Sequence, residues 1–240
     1  MAIPRGAVRG VSFDYGHVLG TIDLDELARR IGLHGFCAAP ALLDAGMADA
    51  YRAHDAAIAR GEGHEAGWLA LMGALVRAGT GSEDDVHTAC IANALWAQQP
   101  ESNLWRQVPD EARALARDLE AHGVPMVITS NSEGRLAELA QTANIAAHFR
   151  AILDSGRLGF AKPDARIFDL ARRSLGVPME AMVHVGDSES ADVVGAKRAG
   201  AWAIRFDAIV PFAAAESDAD LVAKTYAELH AALFDALGLP

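Results

Sequence analysis

The sequence predicts an α/β fold: a doubly wound parallel sheet core with an inserted all-helical segment after the first strand. Two observations carry the core. From Val108 onward, apolar runs of strand length alternate with helical repeats, and such alternation implies a parallel sheet covered on both faces. The first apolar run, Val8 to Phe13, ends abruptly in Asp14 with a glycine at Gly16, as when a buried strand delivers a carboxylate to a sheet edge and turns. A third observation places the insertion, because between about Thr21 and Gln99 only helical spacings occur. The expected division is therefore a core from 1–20 and 100–240 and a helical unit from 21–99.

After the first strand, Leu24, Leu27, Ala28 and Ile31 repeat at helical spacing. Pro40 opens a longer helix expected to run to about Arg60, where Gly61-Glu62-Gly63 breaks it. Trp68, Leu69, Leu71, Met72, Leu75 and Val76 form the most apolar helix. Ser82 with Asp85 makes a cap for the next, which carries Val86, Cys90, Ile91 and Leu95. In the core, Ala112 to Leu119 is a helix ended by Gly123, and Val124 to Thr129 a strand. Leu136 to Ala143 is a helix, Phe149 to Leu153 a strand, and Pro163 starts a helix carrying Ile167, Leu170, Ala171 and Leu175. Met182 to Val185 and Ala201 to Phe206 are strands around a helix from Ala191 to Ala199. A short strand at Ala219 to Val222 and a helix from Tyr226 to Leu237 close the chain. The segment Phe212 to Glu216 is too short for an interdomain linker.

Composition bounds the function. Hydrophobic residues make up 51% and charged residues 22%, which is the balance of a soluble globular protein. No apolar run nears the roughly 20 residues needed to cross a bilayer, and the first residues lack the apolar core of a signal peptide. Cys37 and Cys90 have no metal-ligand spacing, so reduced thiols in a cytoplasmic protein are expected. A net charge of −11 argues against a nucleic-acid backbone as partner. A small phosphorylated substrate remains compatible, since a local cation and a lysine reverse the sign within a site. The oligomeric state is not legible.

Ligands of open α/β sheets bind beyond the carboxyl ends of the strands. Asp14, Ser130 and Asp187 each follow an expected strand and so should meet at one edge, joined by Lys162 of Ala161-Lys162-Pro163. The chemistry on offer is a nucleophilic acid, a hydroxyl, a lysine and the acids of Gly186-Asp187-Ser188-Glu189-Ser190-Ala191-Asp192. Each segment alone has a plainer reading. Asp14 can open a turn, Ser130-Asn131 can cap the next helix, Lys162 can be a surface lysine, and Asp192 can be a helix-start acid. His184, between valines, reads as a satisfied core histidine.

Taken in order, the segments resemble the motifs of the haloacid dehalogenase-like superfamily, and the resemblance spans the chain as a Rossmann-like core with a helical cap. It implies a magnesium-dependent phosphatase acting on a small phosphorylated metabolite through an aspartyl-phosphate on Asp14. By the same resemblance Asp14, the backbone carbonyl of Gly16 and Asp187 hold Mg2+, with Asp192 ligating directly or through water. Ser130 hydrogen-bonds a phosphate oxygen, with Asn131 beside it, and Lys162 pairs with the phosphate and with Asp14. Gly16 departs from the pattern, since most phosphatases of the superfamily carry a second aspartate there as general acid. Asp14-Tyr15-Gly16-His17-Val18 looks most like a subgroup with Asp-x-Gly-Asn-Val that includes sugar-phosphate phosphatases. His17 stands in for its Asn and can supply the missing proton; the plainer reading turns its ring to solvent or cap. Two alternatives stand beside the phosphatase. A 2-haloacid dehalogenase also lacks the second acid, but Tyr15 is one place too early for that match and Gly186-Asp187 is of the metal type. A catalytically weak binding or regulatory protein is the other.

Overall fold

The computed structural model describes residues 2–208 and 217–240; the Phe212 to Glu216 segment lies outside them. The chain divides into two compact units, Met1–Thr21 with Gln107–Pro240, and Ile22–Arg106.

The first unit is built on a six-stranded sheet: β1 (Gly10–Phe13), β2 (Met126–Ser130), β3 (Ala151–Asp154), β4 (Met182–Gly186), β5 (Trp202–Phe206) and β6 (Leu221–Ala223). Their order is β3-β2-β1-β4-β5-β6, and every pairing is parallel. β1, β2 and β4 are buried along their whole length, which is why they read as unbroken apolar runs rather than alternating ones. The chain winds outward from β1 to β3, then returns to the far side of β1 to continue with β4. The strand order thus reverses between β1 and β4, the point at which open sheets of this kind bind their ligands.

Helices α6 (Asp110–Ala121), α7 (Leu136–Thr142), α8 (Ser155–Leu158), α9 (Ala165–Leu175), α10 (Val194–Ala199) and α11 (Tyr226–Leu237) connect or close the strands. One face of the sheet packs Val127, Met182 and Ala203 against Ile167, Phe168 and Ala171 of α9 and Ala196 of α10. Helix α9 starts at Ala165 rather than at Pro163, because the Asp164 side chain accepts from the Arg166 amide and caps it. The segment after β4 departs more. A π-helical turn, Glu189–Val193, precedes α10, so the helix expected from Ala191 begins as a wider turn. The expected strands at Phe149 and Ala219 both start two residues further on, at Ala151 and Leu221.

In the second unit every described element is a helix: α1 (Leu24–Gly32), α2 (Pro40–Ala45), α3 (Met47–Ala59), α4 (His64–Thr80) and α5 (Asp85–Gln98). The single helix expected from Pro40 to Arg60 is two, broken at Gly46. A Cβ there would lie 2.4 Å from the Ala78 Cβ, so glycine lets α4 approach the corner. Helix α4 is the unit's core, with Trp68, Leu71, Met72, Leu75 and Val76 buried, and it ends at Gly81 in the left-handed conformation at φ 66°. The α5 cap is Asp84, which accepts from the Val86 and His87 amides; Ser82 instead accepts from the Asp84 amide. The chain leaves and re-enters side by side. The Thr21 amide donates to Gln107 at 2.7 Å, and the Asp23 amide donates to Leu104 at 2.8 Å. That pairing carries the second unit to Arg106, past the expected 99.

Candidate active site

Asp14 is the first residue beyond β1, and its amide donates to Val185 of β4 at 2.8 Å, so it sits at the point where the strand order reverses. The loop behind it is tight. Leu19 and Gly20 both donate to the Tyr15 carbonyl, and His17 donates to Gly20 at 2.6 Å. His17 takes the left-handed conformation, at φ 52°, and is only 1% exposed. Its ring is therefore buried and not turned to solvent, which removes one of the two placements the plainer reading offered. Gly16 is half-buried in the same loop.

Lys162 is brought to Asp14 from the segment after α8. Its Nζ lies 2.8 Å from Asp14 Oδ1 as an ion pair and donates to Asp192 Oδ1 at 2.5 Å. The lysine side chain is 2% exposed. Burial pulls an ammonium down, but the two carboxylates outweigh it and hold Lys162 above the ordinary lysine value. For Asp192 burial pushes up, and Lys162 with His184 more than reverses it, so its carboxyl titrates below the usual range.

Asn131 fixes the lysine's backbone. Its Oδ1 accepts from the Lys162 amide at 2.8 Å and its Nδ2 donates to the Lys162 carbonyl at 3.0 Å. This clamp joins the end of β2 to the lysine loop, a task the sequence did not suggest for a residue expected to face substrate. Ser130, the last residue of β2, is buried. Neither Ser130 nor Asn131 caps α7. Asp154 does that work from β3: its carboxylate accepts from the amides of Gly134, Leu136 and Gly156 at 2.9–3.0 Å. Ser155 adds a reciprocal pair with the Ser132 backbone.

Asp187 follows β4 as Asp14 follows β1. Asp14, Asp187 and Asp192 are all buried, and each offers a carboxylate oxygen, all within 4.8 Å of one another. Asp192 is already engaged: Oδ1 accepts from Lys162 and from His184 Nε2 at 2.8 Å, and Oδ2 accepts from the Ser188 amide at 3.0 Å. Gly186 makes room for it, because a Cβ at 186 would fall 2.2 Å from Asp192 Cγ.

The donors fit a hard divalent cation. They are oxygens of a buried cluster of three acids, two of which, Asp14 and Asp192, share one lysine, and Asp14 Oδ1 is buried without an aligned hydrogen bond. Like charges this close are costly in a dry site unless a cation offsets them.

Sequence reasoning missed a polar chain behind the site. His184 Nδ1 is 2.9 Å from Ser12 Oγ, which donates to Thr129 Oγ1 at 2.9 Å. A weak signal for it existed: Ser12, Thr129 and His184 are polar residues within largely apolar strand runs.

The chain matches the family model described as "Hydrolase: haloacid dehalogenase-like hydrolase" over residues 25–200. It therefore belongs to the haloacid dehalogenase-like hydrolases, a class with which its strand order and acidic edge agree. It is 29% identical over 180 residues to the haloacid dehalogenase-like hydrolase domain-containing protein 3 of Bos taurus, covering 73% of this chain and 71% of the relative. A Thermus thermophilus phosphoserine phosphatase is 36% identical over 98 residues, 40% of this chain and 39% of the relative. Among solved structures, the magnesium-bound HAD-hydrolase YfnB of Bacillus subtilis superposes with a TM-score of 0.70 at 19% identity, covering 94% of this chain and 98% of that one, which shows the shared fold.

Proposed function

We propose that this hydrolase is a magnesium-dependent phosphatase for a small phosphorylated metabolite, working through an aspartyl-phosphate on Asp14. The observation that carries the reading is the convergence of Asp14, Lys162 and Asp187 at one buried edge. The phosphoserine phosphatase relative supports the same chemistry. We assign Asp14, the Gly16 carbonyl and Asp187 as the residues that would hold Mg2+, with Asp192, which also holds the lysine, ligating directly or through water. When bound, the ion neutralises phosphoryl charge and helps align it for in-line attack.

The chain's own residues supply the rest. Lys162 pairs with a phosphoryl oxygen and, through its ion pair with Asp14, holds the nucleophile's carboxylate in place. Ser130, at the end of β2, donates to another phosphoryl oxygen. Asp14 attacks phosphorus, the ester oxygen leaves, and water then hydrolyses the acyl phosphate. With glycine at 16 the leaving oxygen has no neighbouring carboxylic acid to protonate it. His17, from the same loop, is the imidazole that could act there. The helical unit Ile22–Arg106 is assigned substrate selection, as the family resemblance implies.

The test is a phosphate-release screen over phosphorylated metabolites, with Mg2+ and with chelator. Release that needs the metal supports the reading. Halide release from 2-haloacids without phosphate release would replace it with dehalogenation, and neither activity would favour a binding role.

A further inference from the structure

Lys162 is held in place by more than its two acids. Behind Asp192 runs a continuous file of buried polar side chains crossing three strands: Asp192 to His184 on β4, His184 to Ser12 on β1, and Ser12 to Thr129 on β2. Ser12 and His184 are direct cross-strand partners, so they share one face of the sheet; Thr129 joins that face two residues beyond Val127, the partner of Ser12. That face is dry. The His184 ring packs edge-on against Phe168 of α9 at 5.2 Å, among Val127, Met182 and Ala203. An ionised carboxylate only accepts, so His184 Nε2 is the donor to Asp192.

Such a file is a poor device for stability. Replacing paired buried polar groups by apolar ones of the same shape is often neutral or favourable. What the file does is fix a direction. Asp192 Oδ1 receives both His184 and Lys162, so the carboxylate orientation that His184 sets also sets where Nζ lies against Asp14.

We propose that His184 is a positioning residue: anchored through Ser12 and Thr129, it orients Asp192 and through it the Lys162 ammonium at Asp14. The proposal rests on the catalytic role assigned above to Lys162. His184 touches none of the reacting atoms.

The experiment compares His184→Leu, His184→Gln and Ser12→Ala in the full chain. Steady-state kinetics with Mg2+ and the best ester of the screen are combined with thermal unfolding and crystal structures. Glutamine can keep a donor to Asp192, and leucine cannot. His184→Leu should lose roughly 10-fold or more in kcat with a smaller change in KM, while remaining folded at the assay temperature. His184→Gln should recover most of that loss, and Ser12→Ala should fall between. In the crystal structures the Lys162 Nζ to Asp14 contact should be kept in the glutamine variant and lengthened in the leucine variant. A leucine variant with native kcat, or with lysine and Asp14 still in contact at the native distance, overturns the proposal. So would equal losses in the Leu and Gln variants that follow unfolding temperature alone. If the native protein hydrolyses no ester, the phosphatase reading fails, and the crystallographic comparison still decides the positioning role.

Discussion

Gly186→Ala is the substitution whose cost can be worked most directly from the geometry. An added Cβ would lie 2.2 Å from Asp192 Cγ, 2.4 Å from its Cβ and 2.5 Å from Oδ2. Ordinary carbon contacts are about 3.5–4.0 Å, so the carboxylate must move by about 1 Å or more. It cannot move freely, because it accepts from Lys162 at 2.5 Å, His184 at 2.8 Å and the Ser188 amide at 3.0 Å. Overpacking alone costs about 1–3 kcal/mol. Breaking a buried ion pair so that a charge is left uncompensated costs about 3–5 kcal/mol. Partial relaxation makes these overlap, so a loss of about 3–5 kcal/mol is expected, against a typical total of about 5–15 kcal/mol. Urea unfolding of the native protein and the variant measures it, and phosphate release by the folded fraction should drop by about 10²-fold as Lys162 loses its position. A variant with the native midpoint and native turnover would refute the reasoning.

Other substitutions test separate parts of the molecule. Gly73 lies inside α4, and a Cβ there would meet only Thr88 Cγ2, at 3.9 Å. Gly73→Ala should therefore stabilise the protein by about 0.5–1 kcal/mol, read as a raised unfolding midpoint. Glu26 accepts from Arg29 and Arg30, and those bonds pull its carboxyl from 4.5 down to about 2. A depressed carboxylate stabilises above its unfolded value, so this contribution is complete above pH 4.5 and is lost as pH falls toward about 2. Glu26→Gln should cost about 1–3 kcal/mol at pH 7 and almost nothing near pH 2, measured by unfolding at both. With glycine at 16, acyl and aryl phosphates should outpace primary alkyl phosphates by about 10²-fold or more, since a missing general acid costs that much when the leaving oxygen needs a proton. A flat series of leaving groups would point to an acid elsewhere in the protein.

Much of the architecture was legible because its signals are local. β1, β2, β4 and β5 are short apolar runs bounded by turns, and α11 runs from Tyr226 to Leu237 as its periodicity says. The misses have tertiary causes. The break at Gly46 is set by Ala78 of α4, and no local pattern announces a neighbour. The α5 cap fell to Asp84 instead of Ser82, since both are cap formers and only backbone geometry chooses between them. At the site, the strand-end positions of Asp14, Ser130 and Asp187 follow from chain order alone. The Asn131 clamp on Lys162, the Asp154 support of the 132–136 loop and the His184 link to Ser12 do not, because each joins residues far apart in sequence. His184 was correctly read as a satisfied histidine, but its partners, Ser12 and Asp192, could not be read from the strand.

A covalent phosphoryl group on Asp14 is the central claim, and rapid acid quench with a radiolabelled acyl phosphate tests it most directly. After digestion, the label should map to the peptide containing Asp14 in the native protein with Mg2+, and it should vanish in Asp14→Asn. Label on any other residue, or hydrolysis by Asp14→Asn at the native rate, would contradict it.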